Sequence, residues 1–244
     1  MRINRFLALC GMGSRREVES LVLEGRVTLR GLGGISPISS LSTQVDAEWA
    51  EVFVDGERVR PRKKRFILLY KPVGVVTTKK DPLRRPIVMD LLRKTDRDLF
   101  PVGRLDIDSE GLLLFTNDGE LAQRIAHPKH GLTKRYEVEV IGSVHKEILD
   151  RMKAGIRDEG EMLKVREARQ VRKHGKKTTI SLVLGRGKKR EIRRLCKRLG
   201  LKVLRLKRVA IGPLEDPWLE RGRCRPLKDA EIEALRLSLN PKQR

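Results

Sequence analysis

Cysteine, histidine and aromatic residues are scarce in this chain. Among 244 residues there are 3 cysteines and 4 histidines, and aromatic residues make up 4%. Cys10, Cys196 and Cys224 lie far apart and are odd in number, which excludes a disulfide framework and any CxxC knuckle. Reduced thiols in a cytoplasmic protein are expected. His127 and His130 are separated by Pro128 and have no further ligand type nearby, so they read as loop residues and no metal site is expected. No apolar run approaches the roughly 18 residues of a spanning helix, so no membrane partner is expected. The apolar start of the chain is interrupted by charge between Gly11 and Arg16, unlike a signal peptide. No GxGxxG, Walker-type or zinc-spaced motif occurs, so no cofactor is called for. A helix-turn-helix is also missing, which leaves DNA binding little support.

What the chain does have is positive charge. Lys and Arg number 55 against 32 Asp and Glu, a formal net charge of +23. An excess of this size draws polyanions. The basic residues run along the whole sequence rather than along one amphipathic segment, which favours nucleic acid over a membrane surface. Self-repulsion favours a monomer.

The local pattern gives two short helices over residues 2–24. Ile3, Phe6 and Leu7 form the apolar face of the first. Ser14 and Glu17 frame the second as a capping box, with Val18, Leu21 and Val22 behind them. A strand follows around Val27 and Leu29. Residues 31–47 are rich in Gly, Ser and Thr and read as a long loop. Val52 to Val59 predicts a hairpin turning at Asp55-Gly56. Further strands are expected at Phe66–Tyr70, Leu112–Phe115, Tyr136–Val140, Thr179–Leu184 and Val203–Val209. Short helices are expected at Ile87–Arg93 and after Asp118, which serves as a cap. A helix from Lys188 to Leu199 buries Ile192, Leu195, Cys196 and Leu199 at spacings of three and four. Arg190, Arg193, Arg194 and Lys197 crowd its other side. Like charges repel there, and a polyanion would relieve them, the alternative being a solvated charged face. Asp108 and Glu110 read as solvent-facing loop residues.

Separated motifs run along the chain in order. Arg2-Ile-Asn-Arg-Phe-Leu-Ala, Gly13-Ser-Arg-Arg-Glu, Glu24-Gly-Arg-Val-Thr-Leu and Val52-Phe-Val-Asp-Gly resemble an S4 RNA-binding domain. The chain departs from that family after Arg30-Gly31, where it carries a longer insertion. Farther on, Lys71-Pro-Val-Gly-Val-Val-Thr-Thr precedes Pro101-Val-Gly-Arg-Leu-Asp-Ile-Asp-Ser-Glu-Gly-Leu-Leu-Leu-Phe-Thr-Asn-Asp-Gly. Lys134-Arg-Tyr-Glu-Val, Lys189-Arg-Glu-Ile-Arg-Arg and Leu206-Lys-Arg-Val-Ala-Ile-Gly-Pro-Leu follow in order. Together they resemble the small-ribosomal-type (RsuA/RluB-like) pseudouridine synthases, with Ser109 where that family more often has Thr.

The resemblance implies isomerisation of one uridine in structured RNA, with ribosomal RNA or a ribosome assembly intermediate as partner and no cofactor. It implies Asp106 as nucleophile, Arg104 as a contact near the flipped base, Tyr136 as a stacking platform and Arg193 as the partner of Asp106. Arg5, Ser14, Arg15, Arg16 and Arg26 would meet RNA in the S4 module, and Arg190, Arg194 and Lys197 on the basic helix. An α+β fold is expected: a small αβ S4 module over 1–60, a basic linker over 61–65, a catalytic domain with a mixed, mainly antiparallel sheet over 66–239, and a tail over 240–244. The alternative is a non-catalytic RNA-binding or ribosome-assembly protein that keeps the synthase fold. A carboxylate in a polyanion-binding cleft speaks against it, since binding alone has no use for one.

Overall fold

The computed structural model describes residues 1–31 and 33–239, with the backbone alone at Pro128, so the tail at 240–244 lies outside the described residues. The chain divides into two compact units, Met1–Arg65 and Phe66–Arg244.

In the first unit, α1 (Ile3–Leu9) and α2 (Glu17–Leu23) accompany a four-stranded antiparallel sheet. Its strands are β1 (Val27–Gly31), β2 (Gly34–Pro37), β3 (Val52–Val54) and β4 (Glu57–Val59), in the order β2-β1-β3-β4. Ile3, Phe6, Leu7, Val18, Val22, Val27, Val52 and Val54 form its core. The Ser14–Glu17 box is present: the Glu17 N–H donates to Ser14 Oγ at 3.3 Å and the Ser14 N–H donates to Glu17 at 2.8 Å. Asp55 and Gly56 both have positive φ, 53° and 83°, as a type I′ hairpin turn requires.

Residues 31–47 are not a plain loop. Gly34–Pro37 pairs antiparallel with β1, from Gly31↔Gly34 to Thr28↔Pro37, and Ile38 and Val45 enter the core. Both faces of β2 are exposed, so it carries none of the apolar alternation that marks a strand in sequence. Arg62 also belongs to this unit, since its N–H donates to Leu9 O and its Nε to Cys10 O.

The second unit contains β5 (Phe66–Lys71), β6 (Phe100–Pro101), β7 (Glu110–Thr116), α3 (Gly119–Ala126), β8 (Lys134–Ile141) and α4 (Lys146–Ala154). The short hairpin β9 (Ile156–Asp158) and β10 (Glu161–Leu163) leads to β11 (Glu167–His174), β12 (Lys177–Leu184) and α5 (Glu191–Arg198). The chain ends through β13 (Lys202–Ile211), β14 (Leu214–Glu215), β15 (Cys224–Pro226) and α6 (Asp229–Ser238). Nine of these strands form one sheet, ordered β11-β12-β8-β13-β7-β5-β15, with β14 on β13 and β6 on β7. Every pairing in it is antiparallel except β13 with β7. The sheet is therefore mixed and mainly antiparallel, as expected.

That parallel seam is narrow, just Lys207↔Glu110 and Arg208↔Gly111. A Cβ on Gly111 would lie 2.2 Å from the Arg208 carbonyl oxygen, and its φ is +108°, so only glycine permits the approach. On one side of the seam, Val138, Val140, Ile180 and Leu182 pack against Ile192, Leu195 and Cys196 of α5. On the other, Leu112 and Leu114 pack against α3 and α6, while Leu113 and Phe115 pack against the 3₁₀ turn Val88–Leu91.

Candidate active site

Between β6 and β7 the chain runs through Arg104-Leu-Asp-Ile-Asp-Ser. Five consecutive carbonyls of this loop are held, each by a different group. Arg208 Nη1 reaches Arg104 O at 3.5 Å, and Thr77 Oγ1 donates to Leu105 O at 2.8 Å. The Ser109 N–H closes a turn on Asp106 O at 3.1 Å. The Gly74 N–H donates to Ile107 O at 2.8 Å, and Arg193 Nη2 to Asp108 O at 2.7 Å. Thr77 Oγ1 also accepts from the Leu105 N–H. The Lys71–Thr78 motif therefore clamps the loop, and the side chain of Asp106 projects half-exposed from a fixed backbone.

Beneath the loop, strand registers align one row across the sheet: Lys71, Gly111, Arg208, Tyr136 and Leu182. Directly paired residues share a face. Tyr136 therefore stands beside Arg208 and packs, partly buried, against the core under α5. Arg208 is sealed from solvent, and its Nε donates to Leu112 O at 2.6 Å. Lys71 is equally sealed, and its Nζ donates to Pro72 O at 2.8 Å. Burial pulls its ammonium down to about 8, against the opposing pull of the Asp108, Asp106 and Glu110 carboxylates.

The expected pairing of Arg193 with Asp106 is not what the structure shows. Arg193 Nε lies 3.2 Å from Asp108 Oδ2, and Arg190 grips the same carboxylate at 2.9 Å. Asp106 Oδ2 has Arg190 at 3.7 Å instead. Arg190 can reach both because it sits in a left-handed conformation, φ 51°, just ahead of α5. Asp108 is therefore no idle loop residue. Partial burial raises its carboxyl, but the Arg190 hydrogen bond and the Arg193 charge outweigh that and hold it below the ordinary range.

Glu110 is likewise not solvent-facing but buried at the start of β7. It receives Arg205, Arg221 at 3.0 Å and the Tyr70 hydroxyl at 3.1 Å. Desolvation pushes its carboxyl up, and Arg205 and Arg221 bring it down further.

The remaining cations of α5 divide. Arg194 is not available to phosphate: it meets Asp158 at 2.6 Å and Glu161 at 2.5 Å, and Arg198 joins the same Asp158. Lys197 is exposed and, with Arg190, Arg193 and Lys202, lines an open groove of about 450 Å³. Arg104 is exposed as well. In the first unit Arg5, Arg15 and Arg16 are exposed, and Arg26 is exposed while paired with Asp55 at 2.6 Å and Glu24 at 3.3 Å. Ser14 has its hydroxyl and N–H engaged in the capping box.

The model of the RNA pseudouridylate synthase family matches residues 65–198 of this chain. The chain belongs to that family. A relative from Aquifex aeolicus, an uncharacterized RNA pseudouridine synthase, is 42% identical over 96% of this chain and 93% of its own length. The ribosomal large subunit pseudouridine synthase B of Bacillus subtilis is 34% identical over 96% of this chain and 95% of its own. A crystal structure of a pseudouridylate synthase superposes with a TM-score of 0.66 at 29% identity, covering 96% of this chain and 99% of that one.

As a pseudouridine synthase the chain isomerises uridine in RNA: the N1–C1′ bond breaks, the base turns, and C5 takes the place of N1. The geometry offers such a reaction a carboxylate on a backbone whose carbonyls are tied, a guanidinium near it and an aromatic ring on the same face as the buried cations. The family resemblance pointed to Asp106 and Tyr136, and residue patterning to the basic helix. Neither had found Thr77, Lys71, Arg208 or the role of Asp108. The signal for the first two was the Lys71–Thr78 motif itself, whose partners are supplied only by the fold.

Proposed function

We propose that this synthase modifies a uridine of ribosomal RNA, with Asp106 as the nucleophile that adds to the substrate and leaves again. The observation that carries this reading is the Asp106 carboxylate itself. It is half-exposed, on a loop whose carbonyls are tied from Arg104 to Asp108, with Arg190 at 3.7 Å. Arg104 lies two residues before it, placed to contact the extruded nucleotide. Tyr136 offers the uracil a stacking surface, worth roughly 1–3 kcal/mol against the cost of leaving the RNA stack. Arg193 acts through Asp108, holding the loop and Arg190 in place. Arg190 and Lys197 face the phosphates from the groove beside α5.

Ribosomal RNA is favoured by the Bacillus subtilis relative, and that protein's name favours the large subunit. We further infer that Met1–Arg65 is an S4-type RNA-binding module that anchors the RNA with Arg5, Arg15, Arg16 and Arg26. Its ordered motifs and its two helices over a four-stranded sheet support this. No described helix is long and apolar enough to cross a membrane.

The test maps pseudouridines across ribosomal RNA in cells lacking the protein, in cells with it restored, and in cells carrying Asp106→Ala. One site lost in the first, regained in the second and missing in the third establishes target and nucleophile. If Asp106→Ala restores the site, another group is the nucleophile.

A further inference from the structure

We propose that the β11–β12 hairpin is a second RNA-binding element, gripping the phosphate backbone of structured RNA outside the target nucleotide. This rests on the chain's being an RNA-modifying enzyme and adds a contact surface to it.

The segment Lys164–Lys177 holds seven Lys and Arg residues and one acid, Glu167. β11 is an edge strand of the large sheet, and all but one of its residues are exposed. Elsewhere in this unit several arginines meet carboxylates: Arg190 and Arg193 at Asp108, Arg194 and Arg198 at Asp158, Arg205 and Arg221 at Glu110. In the hairpin they do not. Among the described residues none of Arg169, Arg172, Lys173 or Lys176 meets a carboxylate, and Arg172 has only the Thr179 hydroxyl at 3.4 Å.

The backbone concentrates this charge. Arg169 and Arg172 are three apart, which in a regular strand places them on opposite faces. A register shift between Gln170 and Arg172 leaves Val171 as the extra residue. Arg169 then pairs with Ser181 and Arg172 with Thr179, and Ser181 and Thr179 are two apart on β12. The bulge thus brings both guanidiniums onto one face. That face is opposite the one carrying Ala168 and Leu182, which packs under α4 and α5. Lys173 and Lys176 continue the charge around the tip.

Charged side chains on an edge strand also deter edge-to-edge aggregation. A few scattered lysines suffice for that. Glu167 shares that face with Arg169, and Glu137 and Glu139 share its rows one strand farther in, where Lys177 takes Glu139 at 3.4 Å. Two arginines brought to one face by a bulge, neither of them ion-paired to these acids, are arranged for an anion, and guanidinium forks suit phosphate.

The experiment is a titration of the full-length protein against a fluorescein-labelled stem-loop RNA at several salt concentrations, read by polarisation. In Arg169→Gln/Arg172→Gln/Lys173→Gln/Lys176→Gln, affinity near 0.1 M salt should fall at least about tenfold. The salt slope should drop by about 3, since each phosphate contact contributes about 0.7–0.9. kcat at saturating RNA should stay unchanged while KM rises. Arg169→Lys/Arg172→Lys should bind nearly as wild type. Thermal melting checks the fold, and the two halves of the quadruple set serve as separate double variants if it melts early. Unchanged affinity and slope would overturn the hairpin proposal, and aggregation at unchanged affinity would assign the charge to edge protection. Binding is read without turnover, so a wild-type protein that binds RNA and makes no pseudouridine counts against the catalytic reading alone.

Discussion

The two units place their arginines differently. In Met1–Arg65, with 12 basic and 8 acidic residues, the pairs Arg26–Asp55 and Arg30–Glu51 lie open to water. In the remainder, with 43 basic and 24 acidic residues, several arginines end on carboxylates that solvent barely reaches: Asp158 is 8% exposed and Glu110 3%. An exposed pair gains little from being made, so a phosphate can replace the carboxylate cheaply. A buried carboxylate stripped of its arginine is left uncompensated, so its arginines belong to the architecture. Charge density therefore does not map onto RNA contact. The denser unit uses much of its charge to hold itself together.

The sharpest test of the contrast is Asp106→Ala. Pseudouridine formation should fall by at least about 10³-fold, as for loss of a covalent nucleophile, with RNA affinity within about twofold. Quantitative mass spectrometry of the modified RNA and a binding titration check both parts.

Arg194→Ala should lower Tm by about 5 °C or more and barely change RNA affinity, because it strips Asp158 and Glu161 of a partner. Lost affinity at unchanged Tm would return Arg194 to the RNA interface. Deleting residues 1–60 should raise KM about tenfold or more and leave kcat within about threefold, if phosphate contacts in the first unit anchor the substrate. Equal KM would end the division of labour.

A smaller effect concerns pH. Lys71 and Lys134 are both pulled to about 8 by burial, below the ordinary lysine value. Above pH 8 the folded chain has released protons that the unfolded chain still holds, until the ordinary lysine range is reached. Stability therefore rises with pH across that window. Lys71→Met should flatten the rise by about 1–2 kcal/mol in urea titrations, with Lys134 supplying the rest. Smallest of all, Arg26→Ala should move Tm by no more than about 2 °C while weakening RNA binding severalfold.

Much of the local structure was legible. The Ser14–Glu17 box, the Asp55-Gly56 turn, the Asp118 cap and the apolar stripe of α5 all depend on residues within a few positions of each other, and each is present. Polar partners were not legible. Asp108 meets Arg190 across 82 positions, and Glu110 meets Arg205 across 95. Spacing along the chain says nothing about such meetings, so both carboxylates read as surface residues and Arg194 as a phosphate ligand. Fully exposed elements escaped for a related reason. β2 and β11 bury almost nothing and so leave no apolar rhythm to read.

The loop of held carbonyls bears on how such an enzyme diversifies. Its path is set by groups on Thr77, Gly74, Arg193, Ser109 and Arg208 acting on main-chain oxygens, and by the Asp108 carboxylate on Arg190 and Arg193, so it does not depend on the outward side chain of Ile107. An exposed residue such as Ile107 is free to drift, retuning which RNA is accepted, without shifting the carboxylate. Substrate preference and reactivity are then inherited separately, and new targets arise by exchanging ornaments on an unaltered frame.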